Sequence, residues 1–293
     1  MGDWKLFCCT AAPLGAYSIA PFEAFNILVN KRTMVLDAST TTGPTLPGAV
    51  RCDPELPVSE AGAEARTTLS QNMQRDYNPT ADVLVLHCDN KERADAVASW
   101  LLSTRCRRVR LVHRDGLLDA YPFLTADPAA MTYPNEIVAE QLFLGPVEST
   151  NEQALNNLGI THIVSVVDRE LKLGGPSREQ LLCRIADTKE AELLPVLEKA
   201  LPFMRAALEG GGKVLVHCEQ GLSRSASVVC AHLMVQSDQP TLLDALMSVK
   251  AQRQRAQPNR GFVTQLKELD IKTLKMSNDR SDKKRKRRSQ EQE

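Results

Sequence analysis

Residues 214–225, VLVHCEQGLSRS, constrain this chain more tightly than any other segment. The apolar run Val214 to Val216 reads as a buried strand that ends at Cys218. From Arg224 onward the apolar stretch Ser225 to Val235 reads as a helix. A strand, a tight loop and a helix N-terminus form an anion cradle, because successive backbone N–H groups point inward and the helix dipole adds positive potential. A cysteine at the floor of such a cradle has a depressed pKa, so its thiolate is populated at neutral pH. An arginine fork at the rim takes two phosphate oxygens at once. The segment is suited to attack on phosphorus by sulfur.

A Cys six positions before an Arg is a weak signal alone, and an ordinary strand–turn–helix with a buried Cys is the bland reading. Context makes it specific: His217 precedes the Cys, Gly221 sits where the backbone must curl, and Ser223 and Ser225 flank the Arg. The string HCEQGLSRS resembles the signature of cysteine-dependent protein phosphatases, in their dual-specificity branch. The segments YPNEIVAEQLFLG, LGITHIVSVV and PNRGFVTQL resemble family segments in the right order, so the resemblance covers residues 133–276 nearly end to end.

Cleaving a phosphate ester through a thiolate needs a nucleophile, a charge clamp, an acid for the leaving group and a means of activating water afterwards. Cys218 is the expected nucleophile and Arg224 the clamp. Glu219, Gln220, Gly221, Leu222 and Ser223 form the expected phosphate-binding loop. The acid must come from another loop, since the leaving oxygen departs opposite the attacking sulfur. The family places an Asp about thirty residues before the Cys, and Asp187, just after an apolar run, lies thirty-one residues upstream. Taken alone, Asp187 also suits the N-cap of the helix that follows. The resemblance further implies that Ser225 helps release the thiolate from its phospho-intermediate and that His217 orients the cysteine. It implies that Asn259 braces the loop. The apparent lack of a pocket-deepening insert implies a shallow site open to phosphoserine and phosphothreonine as well as phosphotyrosine.

The chain has 293 residues, 43% of them hydrophobic, and a formal charge of zero, which gives no reason to expect a nucleic-acid partner. The 8 cysteines show no CxxC pair, which argues against a zinc site or disulfide scaffold and for a reducing compartment. No metal or other cofactor is expected. No apolar run reaches transmembrane length, and no secretion signal is evident, so no membrane partner is expected. Leu6 stands where a myristoylation signal wants Ser or Thr, although the neighbouring Cys8 and Cys9 are acylation candidates. Oxidative pairing of Cys218 with Cys183 or Cys230 depends on distances that sequence does not supply.

The organisation expected is an α/β protein with three regions. Residues 1–128 carry apolar runs at 33–38, 82–86 and 109–112, with a helical pattern at Ala94, Val97, Ala98, Leu101 and Leu102. Residues 133–276 form the phosphatase domain. Strands are expected at 141–144, 161–167 and 181–186, with helices around 154–158 and over 192–208; three more helical patterns follow the cysteine loop. Residues 277–293 lack apolar side chains and should be disordered. Their basic run Lys283 to Arg288 fits a nuclear-import signal or a solubilising tail, so a cytoplasmic or nuclear location is expected.

In the first region Val35-Leu36-Asp37-Ala38, Leu46 to Val50 and the run ending at Cys88 resemble the rhodanese-like fold. That fold precedes the phosphatase domain in the MAP kinase phosphatases and in the serine/threonine/tyrosine-interacting-like group, whose known pseudophosphatase members lack the nucleophilic Cys that this chain keeps. The loop Cys88 to Arg93 keeps the Cys and closing Arg of a sulfurtransferase, but Lys91 stands where a Gly would let it curl, and Asp89 and Glu92 disfavour a thiolate. Arg105, Arg107, Arg108 and Arg110 are either a kinase-docking cluster or a solvated basic face. The function implied is a phosphatase acting on phosphoproteins, with a MAP kinase among the possible substrates. The alternatives are a phosphoprotein-binding scaffold with little turnover, or sulfurtransfer at Cys88.

Overall fold

The computed structural model describes residues 15–29, 33–40, 44–47, 49–52, 83–103, 106, 108–125, 131–171, 178–236 and 241–269. Two compact units divide at Thr132 and Tyr133. The basic run 283–288, Cys8, Cys9, Arg105 and Arg107 lie outside the described residues.

The N-terminal unit is built from β1 (Gly15–Ser18), α1 (Pro21–Val29), β2 (Met34–Asp37), β3 (Val50–Arg51), β4 (Val83–His87), α2 (Lys91–Ser103), β5 (Arg108–His113) and α3 (Arg114–Ala120). Its sheet has the order β1-β5-β4-β2-β3, and every pair is parallel. Val83 to Leu86 are buried without alternation, as a strand covered on both faces requires. Ala94, Val97, Ala98 and Leu101 of α2 pack into the same core as Val83, Val85 and Leu111.

Two features of this unit bear on function. The Asn90 side chain accepts from the Arg93 N–H at 2.8 Å, so the first turn of α2 is capped by its own loop. Asp89 is tied to the backbone and hydroxyl of Thr40. The Cys88 loop thus spends a donor on itself that a persulfide or phosphate would use. Arg110 is 3% exposed, with its guanidinium 3.9 Å from the centre of the Tyr17 ring, so this member of the arginine cluster packs inside the unit instead of facing a partner.

The C-terminal unit is built from β6 (Asn135–Val138), β7 (Leu142–Pro146), α4 (Glu152–Leu158), β8 (His162–Val167), β9 (Glu179–Arg184), α5 (Leu194–Glu209), β10 (Val214–Cys218), α6 (Arg224–Gln236), α7 (Leu242–Gln252) and α8 (Arg260–Glu268). Its sheet runs β6-β7-β10-β8-β9, with only the β6–β7 pair antiparallel. β10 is flanked by parallel strands on both sides, and all five of its residues are buried. Asn151 caps α4 through the Ala154 N–H, and Gly159 ends it in a left-handed conformation. Helix α6 is buried along nearly its whole length, from Arg224 to Val235, and shares one core with β7, β8, β10 and α5.

The apolar run expected as a strand at 181–186 forms instead at 179–184. β9 is a sheet edge, where polar Glu179 and Gln180 can face water, and Ile185, whose N–H makes a last bond to the Val167 carbonyl, buries its side chain just beyond the strand. The helix after that turn begins at Leu194 with Leu193 as its N-cap, so Asp187 does not cap it. Strand β6 has no counterpart in the sequence reading, because its buried residues include the polar Asn135 and Glu136.

Candidate active site

The loop from Cys218 to Arg224 lies at the carboxyl end of the central strand. Its carbonyls are all engaged from outside. Val147 N–H donates to the Glu219 carbonyl at 3.2 Å and Gln257 N–H to that of Leu222 at 2.7 Å, while Ser227 donates to that of Ser223 through its N–H and hydroxyl. The carbonyls of Gln220 and Gly221 accept from one guanidinium, that of Arg253, at 3.0 and 2.8 Å. Five consecutive carbonyls are thereby turned away from the sulfur, and the N–H groups of Gly221, Leu222 and Ser225 face it. Gly221 has φ +65°, and a Cβ there would come within 2.5 Å of the Gly145 carbonyl, so the curl requires glycine.

Cys218 is 2% exposed. Burial pushes its thiol up, but hydrogen bonds from the Ser225 hydroxyl and from the N–H groups of Ser225, Leu222 and Gly221 outweigh it and hold the group below the ordinary thiol range. Gly221 N lies 3.2 Å and Ser225 Oγ 3.1 Å from Sγ. The same core shows the contrast: burial pushes Cys183 up to about 11 and Cys230 up to about 12. All three cysteines are free thiols.

Arg224 is 6% exposed. Its Nη1 donates to the Ile185 carbonyl at 3.3 Å and lies 3.6 Å from Asp168 Oδ1. Its buried Nε makes no hydrogen bond, and Asp187 Oδ2 stands 3.8 Å away. Asp187 Oδ1 accepts from the Ser223 hydroxyl at 2.6 Å and from Asn259 Nδ2 at 2.8 Å. Asn259 N–H donates in turn to the Ser223 hydroxyl, and its Oδ1 caps α8. Asn259 therefore ties the Asp187 loop, the cysteine loop and α8 to one another. Glu219 belongs to the loop by its backbone, but its carboxylate faces outward to Arg169, with Oε1 2.8 Å from the Arg169 Nε. That bond holds Glu219 below the usual carboxylate range.

His217 is fully buried beneath the loop. Its Nε2 lies 2.8 Å from the Ser165 hydroxyl on β8, and its Nδ1 lies 3.4 Å from the Cys218 carbonyl. Burial pushes its pKa down to about 4, so the imidazole is neutral and orients the loop without adding charge. The structure thus gathers Cys218, Ser225, Arg224, Asp187, Ser223 and Asn259 into one cluster of contacts. Glu219, Gln220, Gly221 and Leu222 supply its backbone, with His217 behind it.

Ser165, Arg253, Arg169 and Asp168 of this network escaped the sequence reading. Arg253 offered no usable signal, because one arginine in an arginine-rich turn looks like surface. Only the fold brings it under the loop, with Nη1 2.7 Å from the buried Asn135 Oδ1 of β6.

A family model for the dual specificity phosphatase catalytic domain matches residues 142–272. Dual specificity protein phosphatase 1 of Arabidopsis thaliana is 33% identical over 153 residues, covering 50% of this chain and 76% of the relative. Dual specificity protein phosphatase PHS1 of the same plant is 35% identical over 170 residues, covering 56% of this chain and 18% of the relative. A rhodanese domain-containing dual specificity protein phosphatase of Dictyostelium discoideum is 36% identical over 137 residues, covering 46% and 29%. The chain thus spans less than a third of the length of these last two relatives. It belongs to the dual specificity phosphatase family. Its fold is a rhodanese-like α/β unit followed by a cysteine-dependent phosphatase unit.

Proposed function

We propose that this chain hydrolyses phosphate monoesters on proteins through a phosphocysteine intermediate. The observation that carries the reading is a buried sulfur receiving hydrogen bonds from Gly221 and Ser225, in a loop closed by a buried guanidinium whose Nε has no hydrogen-bond partner. The Cys218 thiolate attacks phosphorus while loop amides and Arg224 hold the three non-bridging oxygens. The S–P bond forms as the P–O ester bond breaks, and the electron pair leaves with the ester oxygen. Asp187 has Oδ1 held by Ser223 and Asn259, so Oδ2, on the Arg224 side, delivers the proton to that oxygen. Water then cleaves the S–P bond, with Asp187 accepting its proton and Ser225 stabilising the departing thiolate at 3.1 Å.

Hydrolysis of nitrophenyl phosphate by the full chain, abolished in Cys218→Ser, tests the reading. Binding of a phosphopeptide with no release of phosphate would replace it with the scaffold role. Phosphotyrosine, phosphoserine and phosphothreonine proteins are the substrate class. A rhodanese-like unit ahead of the phosphatase unit favours a MAP kinase among them, and paired activation-loop phosphopeptides test that choice. The run Lys283 to Arg288 supports nuclear import, which a fluorescent fusion lacking it tests.

A further inference from the structure

Helix α8 does more than present Asn259. The Gln265 side chain, one and a half turns into the helix, pairs with the backbone of the segment that follows Asp187. Leu193 N–H donates to its Oε1 at 2.7 Å, and its Nε2 donates to the Ala191 carbonyl at 2.9 Å. Between these contacts and Asn259, the Lys189 carbonyl lies against Gly261 so closely that a Cβ at 261 would overlap it. Asn259 Nδ2 adds a bond to the Thr188 carbonyl at 3.2 Å. One face of α8 thus grips residues 187, 188, 189, 191 and 193 in succession. Leu193 is fully buried and starts α5, so the far end of the segment is anchored as well.

We propose that Gln265 is a positioning residue for proton delivery: it splints the 187–193 segment along α8 so that Asp187 stands ready before substrate arrives. Gln265 reaches no reacting atom and acts through Asp187, so the inference rests on the phosphatase reading above. When the P–O bond breaks, the Asp187 proton must reach the leaving oxygen while the electron pair moves onto it. A loosened segment leaves an unprotonated alkoxide or phenoxide to depart. Its cost therefore depends on the basicity of the leaving group, whereas general damage to the fold costs every ester alike.

The test is kcat/KM of the full chain for aryl phosphates running from phenyl to dinitrophenyl esters. Gln265→Met keeps the side-chain length and removes both hydrogen bonds. It should lower the value for phenyl phosphate by roughly 10- to 100-fold, a part of the roughly 100- to 10,000-fold that a general acid contributes, and leave the dinitrophenyl ester within about threefold. Gln265→Glu, which keeps the acceptor for Leu193, should fall between. Gly261→Ala, which pushes on Lys189, should tilt the series in the same direction. Thr264→Ala on the exposed face of α8 should not. In an Asp187→Asn background Gln265→Met should add little, since the two act through one proton. Equal loss across the series, no loss, or additive loss in the double variant overturns the proposal. Absence of hydrolysis with every ester in the wild type instead defeats the phosphatase reading, and the positioning role with it.

Discussion

Arg253 Nε lies 2.8 Å from the carbonyl oxygen of Gly221, the residue whose positive φ makes the cysteine loop curl. One buried cation thereby holds the turn that aims the loop amides at Cys218, and it also lies close enough to attract the thiolate. Burial, with Arg255 nearby, brings the guanidinium down to about 10, still cationic at neutral pH. Arg253→Met removes that charge and strands two carbonyls, each of which costs about 1–3 kcal/mol when left unpaired. The pH at which iodoacetamide alkylates Cys218 should move upward, and kcat/KM for nitrophenyl phosphate should fall by roughly 10- to 100-fold. Arg253→Lys should restore the alkylation profile further than it restores turnover, because an ammonium replaces the charge but not the two-carbonyl fork.

Ser225→Ala removes one of the donors that hold the thiolate. A hydrogen bond to a charged group is worth about 1.5–3 kcal/mol, so the Cys218 pKa should rise by about one to two units. In the proposed second step sulfur is also the leaving group. A burst of phenol followed by a slower steady state, with labelled phosphate trapped on the protein, is the expected kinetic pattern.

Gly221→Ala requires both an unfavourable φ and a Cβ within 2.5 Å of the Gly145 carbonyl. The loop must rebuild, so nitrophenyl phosphate turnover should fall by more than about 100-fold. Far-ultraviolet circular dichroism should stay close to wild type, because the strain is confined to one turn. An active Gly221→Ala protein would show that the loop does not need this curl.

His217 and His232 are both held at about 4 by burial, against an ordinary value of 6.5. A depressed folded value means that the unfolded chain takes up protons first. Stability is therefore complete above pH 6.5, is lost as pH falls toward 4, and levels off below that. Each group contributes at most about 1.4 kcal/mol per pH unit in that window. Hydrogen exchange in α6 and β10, corrected for intrinsic rates, should accelerate accordingly. His232→Leu should flatten the slope.

Much of the cysteine loop was legible in sequence because its chemistry is local. Strand, glycine, arginine and helix follow one another within twelve residues, and each constrains its neighbour. Asp187 was legible only through the family resemblance; its own sequence neighbourhood suited a helix cap equally well. Arg253, Arg169 and Gln265 were invisible for a different reason. Their partners lie between 32 and 118 residues away, so no periodicity or spacing records the contact. The edge strands shifted or went unseen because an edge tolerates polar residues, and β6 carries buried polar ones that hydropathy counts as loop. In the N-terminal unit the alternating strand and helix signals of a parallel sheet are clear, yet nothing in the sequence marks Arg110 as packed over the Tyr17 ring.

The reactive sulfur hangs from the last residue of a strand enclosed on both sides by parallel neighbours. Fraying begins at borders, and here the borders are β6 and β9, each separated from β10 by one strand. On gentle warming the outer strands should loosen first, and because β9 leads into Asp187 and β6 holds Arg253 through Asn135, turnover should fall before the middle of the sheet comes apart. Heat inactivation then reports the early softening of this unit's rim, ahead of the cooperative melting of its interior.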